Sequence, residues 1–136
     1  AALVMALLLK VSSFAVMDSG LVLRASLIMP FAGRCALLLA MAVLPYARQE
    51  GGLGTLFYSR HLRPAAATGM IAFFVVSAGV MGAAGLATAA VVCAATLLFS
   101  WFCRLKIGGA TGDTLGAACE IAETVLLVFV AGILHG

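Results

Sequence analysis

The chain has 136 residues, of which 65% are hydrophobic and 10% charged, with a formal net charge of +3. Soluble domains average roughly 45–50% apolar and 25% charged residues, so this composition excludes one and points to an all-α, polytopic integral membrane bundle. So small and scattered a charge gives no footprint for nucleic acid and reports orientation in the membrane instead.

The first apolar run, Ala1 to Met17, is interrupted by Lys10, and Asp18-Ser19-Gly20 makes a turn. The run has neither an initiator Met nor a polar leader, and no small-residue cleavage site follows it. It therefore reads as a membrane segment in the C-terminal part of a longer protein, not as a signal peptide. A second span, from Arg24 or Ala25 to about Tyr46, contains Pro30 and Arg34. Arg48 to Arg63 is the longest polar stretch, carries Gly51-Gly52-Leu53-Gly54, and reads as a loop.

Residues 64 to 103 hold no charge. As one helix at about 1.5 Å per residue they reach roughly 60 Å, twice a hydrocarbon core, so they fold back on themselves. Gly79, Gly82 and Gly85 mark the turn of a hairpin with arms predicted at about Thr68 to Val80 and Leu86 to Phe102, short enough for a partly re-entrant arrangement. The last helix is predicted from Asp113 to Leu134. About five transmembrane helices result, in one membrane domain over residues 1–136. Cys35, Cys93, Cys103 and Cys119 form no CxxC pair and read as small buried apolar residues. His61 and His135 have no nucleophile or metal partner near them in sequence and receive no role.

The segment Gly108 to Glu123, GGATGDTLGAACEIAE, sets three carboxylates behind a glycine-rich turn at the start of an apolar helix. At about 100° per residue Glu120 lies roughly 20° from Asp113, with Glu123 about 80° away, so all three can face one site. Acidic groups at the start of a membrane helix are costly enough that function is the default reading. Gly108, Gly109 and Gly112 let backbone N–H groups approach an anion at a helix start. No GxGxxG or GxxxxGK[ST] pattern occurs, which excludes a dinucleotide fingerprint and a P-loop. The plain alternative is that Asp113 caps the helix and the glycines shape the turn. That alternative leaves Glu120 and Glu123 unexplained. Carboxylates beside a phosphate repel it unless a divalent cation lies between, so the combination points to Mg²⁺ and a pyrophosphate. Lys10 and Arg34 lie within apolar spans and read either as ion-pair partners of Glu120 and Glu123 or as phosphate contacts.

The hairpin puts the Arg48–Arg63 and Arg104–Asp113 segments on one face, and these hold five of the eight basic residues. By the positive-inside rule that face is cytoplasmic, with Asp18 and Gly136 outside, so a site at the start of the last helix opens to the cytoplasm of a cell (inner) membrane.

Gly108 to Glu123, preceded by Arg104 and Lys106, closely resembles the C-terminal motif of the adenosylcobinamide-GDP ribazoletransferase family, the cobalamin synthases of bacterial and archaeal membranes. Pro45-Tyr46-Ala47-Arg48-Gln49-Glu50-Gly51-Gly52-Leu53-Gly54 is similar to that family's Tyr-Ala-Arg-x-Glu-Gly-Leu-Gly segment, with one glycine added, and Gly33-Arg34 stands at the expected distance before it. The resemblance spans the chain, with the intervening helices matching in character only. Family members are about twice as long and carry an Asp-rich Asp-Gly motif in an N-terminal half that this sequence lacks.

The resemblance implies the last assembly step of the cobalamin nucleotide loop: a ribose hydroxyl of α-ribazole, or of its 5′-phosphate, attacks the cobinamide-side phosphorus of adenosylcobinamide-GDP, and GMP leaves. It implies Asp113 and Glu120 as Mg²⁺ ligands and Glu123 as a further ligand or hydroxyl-orienting base. Arg34, Arg48, Lys106 and Lys10, with Glu50, Gly108, Gly109, Thr111 and Gly112, would contact substrate. Expected partners are the two substrates, membrane lipid and other nucleotide-loop enzymes. Two other classes stay open: a small transporter or channel subunit whose intramembrane charges line a pathway, and a non-catalytic assembly module docking through the Gly/Ala hairpin.

Overall fold

The computed structural model describes residues 2–44, 62–109 and 111–134. Five helices follow one another: α1 (Ala2–Val16), α2 (Ser19–Val43), α3 (Leu62–Met81), α4 (Ala83–Lys106) and α5 (Gly112–Leu134). No strand occurs among the described residues. α2 to α5 are each long and apolar enough to cross a membrane. α1 is a shorter apolar helix of 15 residues, about 22 Å long at 1.5 Å per residue against a hydrocarbon core of roughly 30 Å.

The elements match the expected order, and their boundaries differ for local reasons. α2 begins at Ser19, about one and a half turns earlier than expected. Asp18 is extended (φ −73°, ψ 163°) and its carbonyl accepts from the Val22 amide at 2.9 Å, so it is the N-cap and Ser19 and Gly20 are already helical. The turn is left with Met17 and Asp18 alone. Pro30 does not break α2, which runs through it as a single helix. Pro64 falls in the first turn of α3, where an amide would have no intrahelical acceptor.

The hairpin arms are 20 and 24 residues long, so both make full spans and the re-entrant arrangement is replaced by a transmembrane hairpin. Its turn narrows to Gly82, whose φ of 64° suits a residue without Cβ. Three residues on, α4 crosses the end of α3 so closely that a Cβ at Gly85 would lie 1.8 Å from the Ser77 carbonyl oxygen.

Polarity is arranged for a hydrocarbon surround. α1 exposes Leu3, Leu7, Leu8 and Val11, while Ser13, Ser77, Thr88, Thr96 and Ser100 are buried in the bundle. The hydroxyls of Thr88 and Thr96 donate to the carbonyls four residues back, at 2.7 and 2.9 Å, which satisfies them inside their own helix. Phe73, Ile28, Leu126, Leu127 and Val130 are fully buried at the centre, and Phe31 packs on Phe73 with ring centroids 5.9 Å apart. Leu44 at the end of α2, Cys103 near the end of α4 and Leu115 at the start of α5 pack together. Because α3 runs antiparallel to α4, its start lies at that same end. The end of α2, the start of α3, the end of α4 and the start of α5 therefore lie at one end of the bundle.

Gly85→Ala is expected to destabilise the hairpin by about 1–3 kcal/mol, since the backbone of α3 must move to admit the methyl. Thermal unfolding of the protein in detergent reads this as a lowered midpoint, with Gly79→Ala, where a Cβ meets nothing within 4 Å, as the neutral control.

Candidate functional site

The turn between α4 and α5 is built by two caps. α4 ends at Ile107, and Gly108, at φ 84°, donates its amide back to the carbonyls of Arg104 and Cys103, both at 3.2 Å. This left-handed cap satisfies the last carbonyls of α4. At the other side Thr111 and Thr114 cap α5 reciprocally. The Thr111 amide donates to the Thr114 hydroxyl at 2.7 Å, and the Thr114 amide donates to the Thr111 hydroxyl at 3.3 Å.

Capping is thus the work of the threonines, not of Asp113, contrary to the plain alternative drawn from sequence. Asp113 sits exposed in the first turn and makes no ion pair or side-chain hydrogen bond among the described residues. The caps also change what the turn can offer an anion. The amides of Gly108 and Thr111 are engaged, which leaves those of Gly112 and Asp113 as the helix-start donors without a bond among the described residues.

About two turns into α5, Lys10 reaches across from α1. Its ammonium donates to Glu120 Oε2 at 2.7 Å and to Glu123 Oε2 at 2.9 Å. The Lys10 side chain is 12% exposed, Glu123 16% and Glu120 41%, so Glu120 is the open member of the cluster. The other oxygen of Glu123 accepts from the Cys119 thiol at 3.6 Å. α2 closes the far side at Gly33, where a Cβ would lie 2.5 Å from Glu123 Oε1 and 2.7 Å from Cys119 Sγ. Glycine is required here by the close approach of the α2 backbone to a carboxylate. On its open side Glu120 borders a mostly apolar groove of about 740 Å³ between α1, α4 and α5, whose walls include Leu9, Phe99 and Val125.

The expected site residues therefore divide. Lys10, Glu120 and Glu123 are brought together, and of the two readings of Lys10 the ion pair is the one found. Arg34 follows Gly33 but is exposed and pairs with neither glutamate among the described residues. Arg104 and Lys106 are exposed in the last turn of α4, where they also oppose its C-terminal dipole. Arg48 and Glu50 lie outside the described residues. The three carboxylates expected to share one metal do not form one group: Asp113 stands seven residues, about 10 Å along the axis, before Glu120. Among the described residues no set of three His, Cys, Asp or Glu side chains is placed to hold a metal ion. Sequence reasoning named Gly33 only as part of the family resemblance, without its packing role, and missed Thr114; a Thr-x-x-Thr at a helix start was the available signal.

Residues 1–131 match the protein-family model described as Cobalamin-5-phosphate synthase. The chain belongs to that family. The cobalamin-5-phosphate synthase relatives include adenosylcobinamide-GDP ribazoletransferases from Desulforamulus reducens, 37% identical over 95% of this chain and 51% of that protein, and from Roseiflexus sp., 44% identical over 77% and 39%. Another, from Syntrophobacter fumaroxidans, is 42% identical over 74% of this chain and 41% of its own. The chain spans about half the length of the curated relatives it matches. No solved structure matches it.

Loss of the cap and loss of the acid should separate. Thr111→Ala is expected to lower stability by about 1 kcal/mol, and Asp113→Asn by only the roughly 0.3 kcal/mol of a surface helix-dipole contact. Thermal unfolding in detergent checks the ranking, and a larger loss from Asp113→Asn contradicts the capping assignment.

Proposed function

We propose that the full-length protein transfers the adenosylcobinamide-phosphate group of adenosylcobinamide-GDP to the ribose hydroxyl of α-ribazole or of its 5′-phosphate, releasing GMP. The observation that carries this reading is the family match over residues 1–131, which takes in the whole α4–α5 turn and both glutamates. The same match favours an enzyme over a transporter, channel subunit or assembly module.

In the proposed reaction the acceptor oxygen forms a bond to the cobinamide-side phosphorus, and the bond from that phosphorus to the GMP oxygen breaks. The leaving electron pair goes with GMP. Arg34 on α2 lies about 15 Å below the end of the bundle from which the turn projects, level with Glu123, whereas the exposed Arg104 and Lys106 on α4 stand at that end. Those two suit the pyrophosphate, with the Gly112 and Asp113 amides at the positive end of α5 as further donors. Arg48 and Glu50 of the preceding loop are proposed to complete the substrate contacts. The hydroxyl proton passes to solvent; Glu120, more exposed than Glu123 but about 10 Å along α5 from Asp113, is proposed to contact the acceptor away from the reacting oxygen. Lys10 is committed to the carboxylates and leaves the set of phosphate contacts.

Mg²⁺ remains the proposed cofactor; when bound it would neutralise charge on the pyrophosphate. Of the three carboxylates, Asp113 is the one open to it, and its other ligands would come from substrate and from the half of the relatives' length that this chain does not span. We further propose a multi-pass location in the cell (inner) membrane, with the α4–α5 turn facing the cytoplasm.

GMP release from adenosylcobinamide-GDP and α-ribazole phosphate by the full-length protein in vesicles tests the reading. Asp113→Asn is expected to abolish turnover with insertion intact, EDTA to do the same to the wild type, and a cysteine at Lys106 to be labelled only from the cytoplasmic side. Turnover unaffected by both Asp113→Asn and EDTA, or labelling of residue 106 from outside, contradicts it.

A further inference from the structure

We propose that Lys10 is the resident cation of the Glu120–Glu123 pair: it positions both carboxylates and keeps a divalent ion out of the space between them. This assignment goes beyond the proposed reaction and does not depend on it. It departs from the expectation that these two glutamates are Mg²⁺ ligands.

The geometry carries the argument. Glu120 Oε2 and Glu123 Oε2 converge on a single point, and the Lys10 ammonium occupies that point at 2.7 and 2.9 Å. Mg²⁺ demands about six oxygens in octahedral array at roughly 2.0–2.1 Å and gives up its water reluctantly. Only two carboxylate oxygens converge here, so about four waters would have to fit around the ion. While the ammonium holds the converging point, neither the ion nor those waters can enter, although the open side of Glu120 faces the groove. Gly33 presses the α2 backbone against Glu123, and the remaining Glu123 oxygen faces the Cys119 thiol, a poor partner for a hard cation. A tethered ammonium fits this space without a hydration shell and with three donors, two of which are used. It reduces the charge of the pair from −2 to −1, which permits two ionised groups one turn apart in an apolar helix.

Removal of the ammonium has a defined consequence. Two carboxylates left converging on an empty point are the start of a divalent site, so a variant without the lysine charge should acquire metal affinity that the wild type lacks.

Mn²⁺ binding to purified full-length protein in lipid nanodiscs, followed by electron paramagnetic resonance without substrates, tests the proposal. Wild type, Lys10→Arg, Glu120→Gln and Glu123→Gln are expected to bind Mn²⁺ alike. Lys10→Met is expected to gain one further site, and the double variant Lys10→Met with Glu123→Gln to lose it again. A weakening of about tenfold or more by Glu120→Gln or Glu123→Gln while Lys10 is present, the size expected when a metal ligand is lost, overturns the proposal. So does a folded Lys10→Met protein with no added site. Should Lys10→Met fail to insert, the two glutamate variants in the Lys10 background decide the matter alone.

Discussion

Two carboxylates one helical turn apart in an apolar helix repel each other and pull against the surrounding hydrocarbon, and the Lys10 ammonium is what reconciles them with it. Taking ions out of water costs several kcal/mol each even after relaxation, so such a cluster persists only where each charge meets its opposite at hydrogen-bond distance. The consequence for the fold is that α1, an apolar helix bearing leucines on its outer face, is fixed to α5 through Lys10. Gly33 belongs to the same arrangement. It brings the α2 backbone against Glu123 and so ties three helices to one pair of acids.

The remaining helix contacts follow the rules of a medium in which apolar surface alone drives no association. Gly85 against Ser77, and Cys35 donating to the Gly69 carbonyl at 3.3 Å, are places where small residues let backbones approach. The buried hydroxyls of Ser13, Thr88 and Thr96 donate to carbonyls of their own helices. The outward-facing leucines of α1 and α2 are the complement of that pattern.

Element number, order and hairpin topology were legible in the sequence because they depend on long-range properties: runs without charge, and the length of a helix against the thickness of a bilayer. Boundaries were less so. Gly20 read as a turn residue, yet Asp18 took the N-cap and Gly20 entered α2; the choice is made by one extended residue, Asp18, whose conformation no composition rule fixes. Helical spacing correctly put Glu120 and Glu123 toward a common partner. It could not show that the partner was Lys10, more than a hundred residues away; the roughly two to three turns of axial rise from Asp113 were countable in the sequence but lie outside the angular argument. Angular arithmetic gives the face of a helix and not the depth along it. The Thr111–Thr114 caps were hidden for a similar reason: an acidic residue at a helix start is the stronger textual signal, while the hydroxyl three residues from another hydroxyl takes the amides.

The central claim is that a lysine, not a metal, lies between Glu120 and Glu123. Crystals of the full-length protein grown with Mn²⁺ address it directly through anomalous scattering at the manganese edge. The account predicts continuous side-chain density from Lys10 reaching both carboxylates and no anomalous peak between them. An anomalous peak between Glu120 and Glu123, with Lys10 turned away, contradicts it.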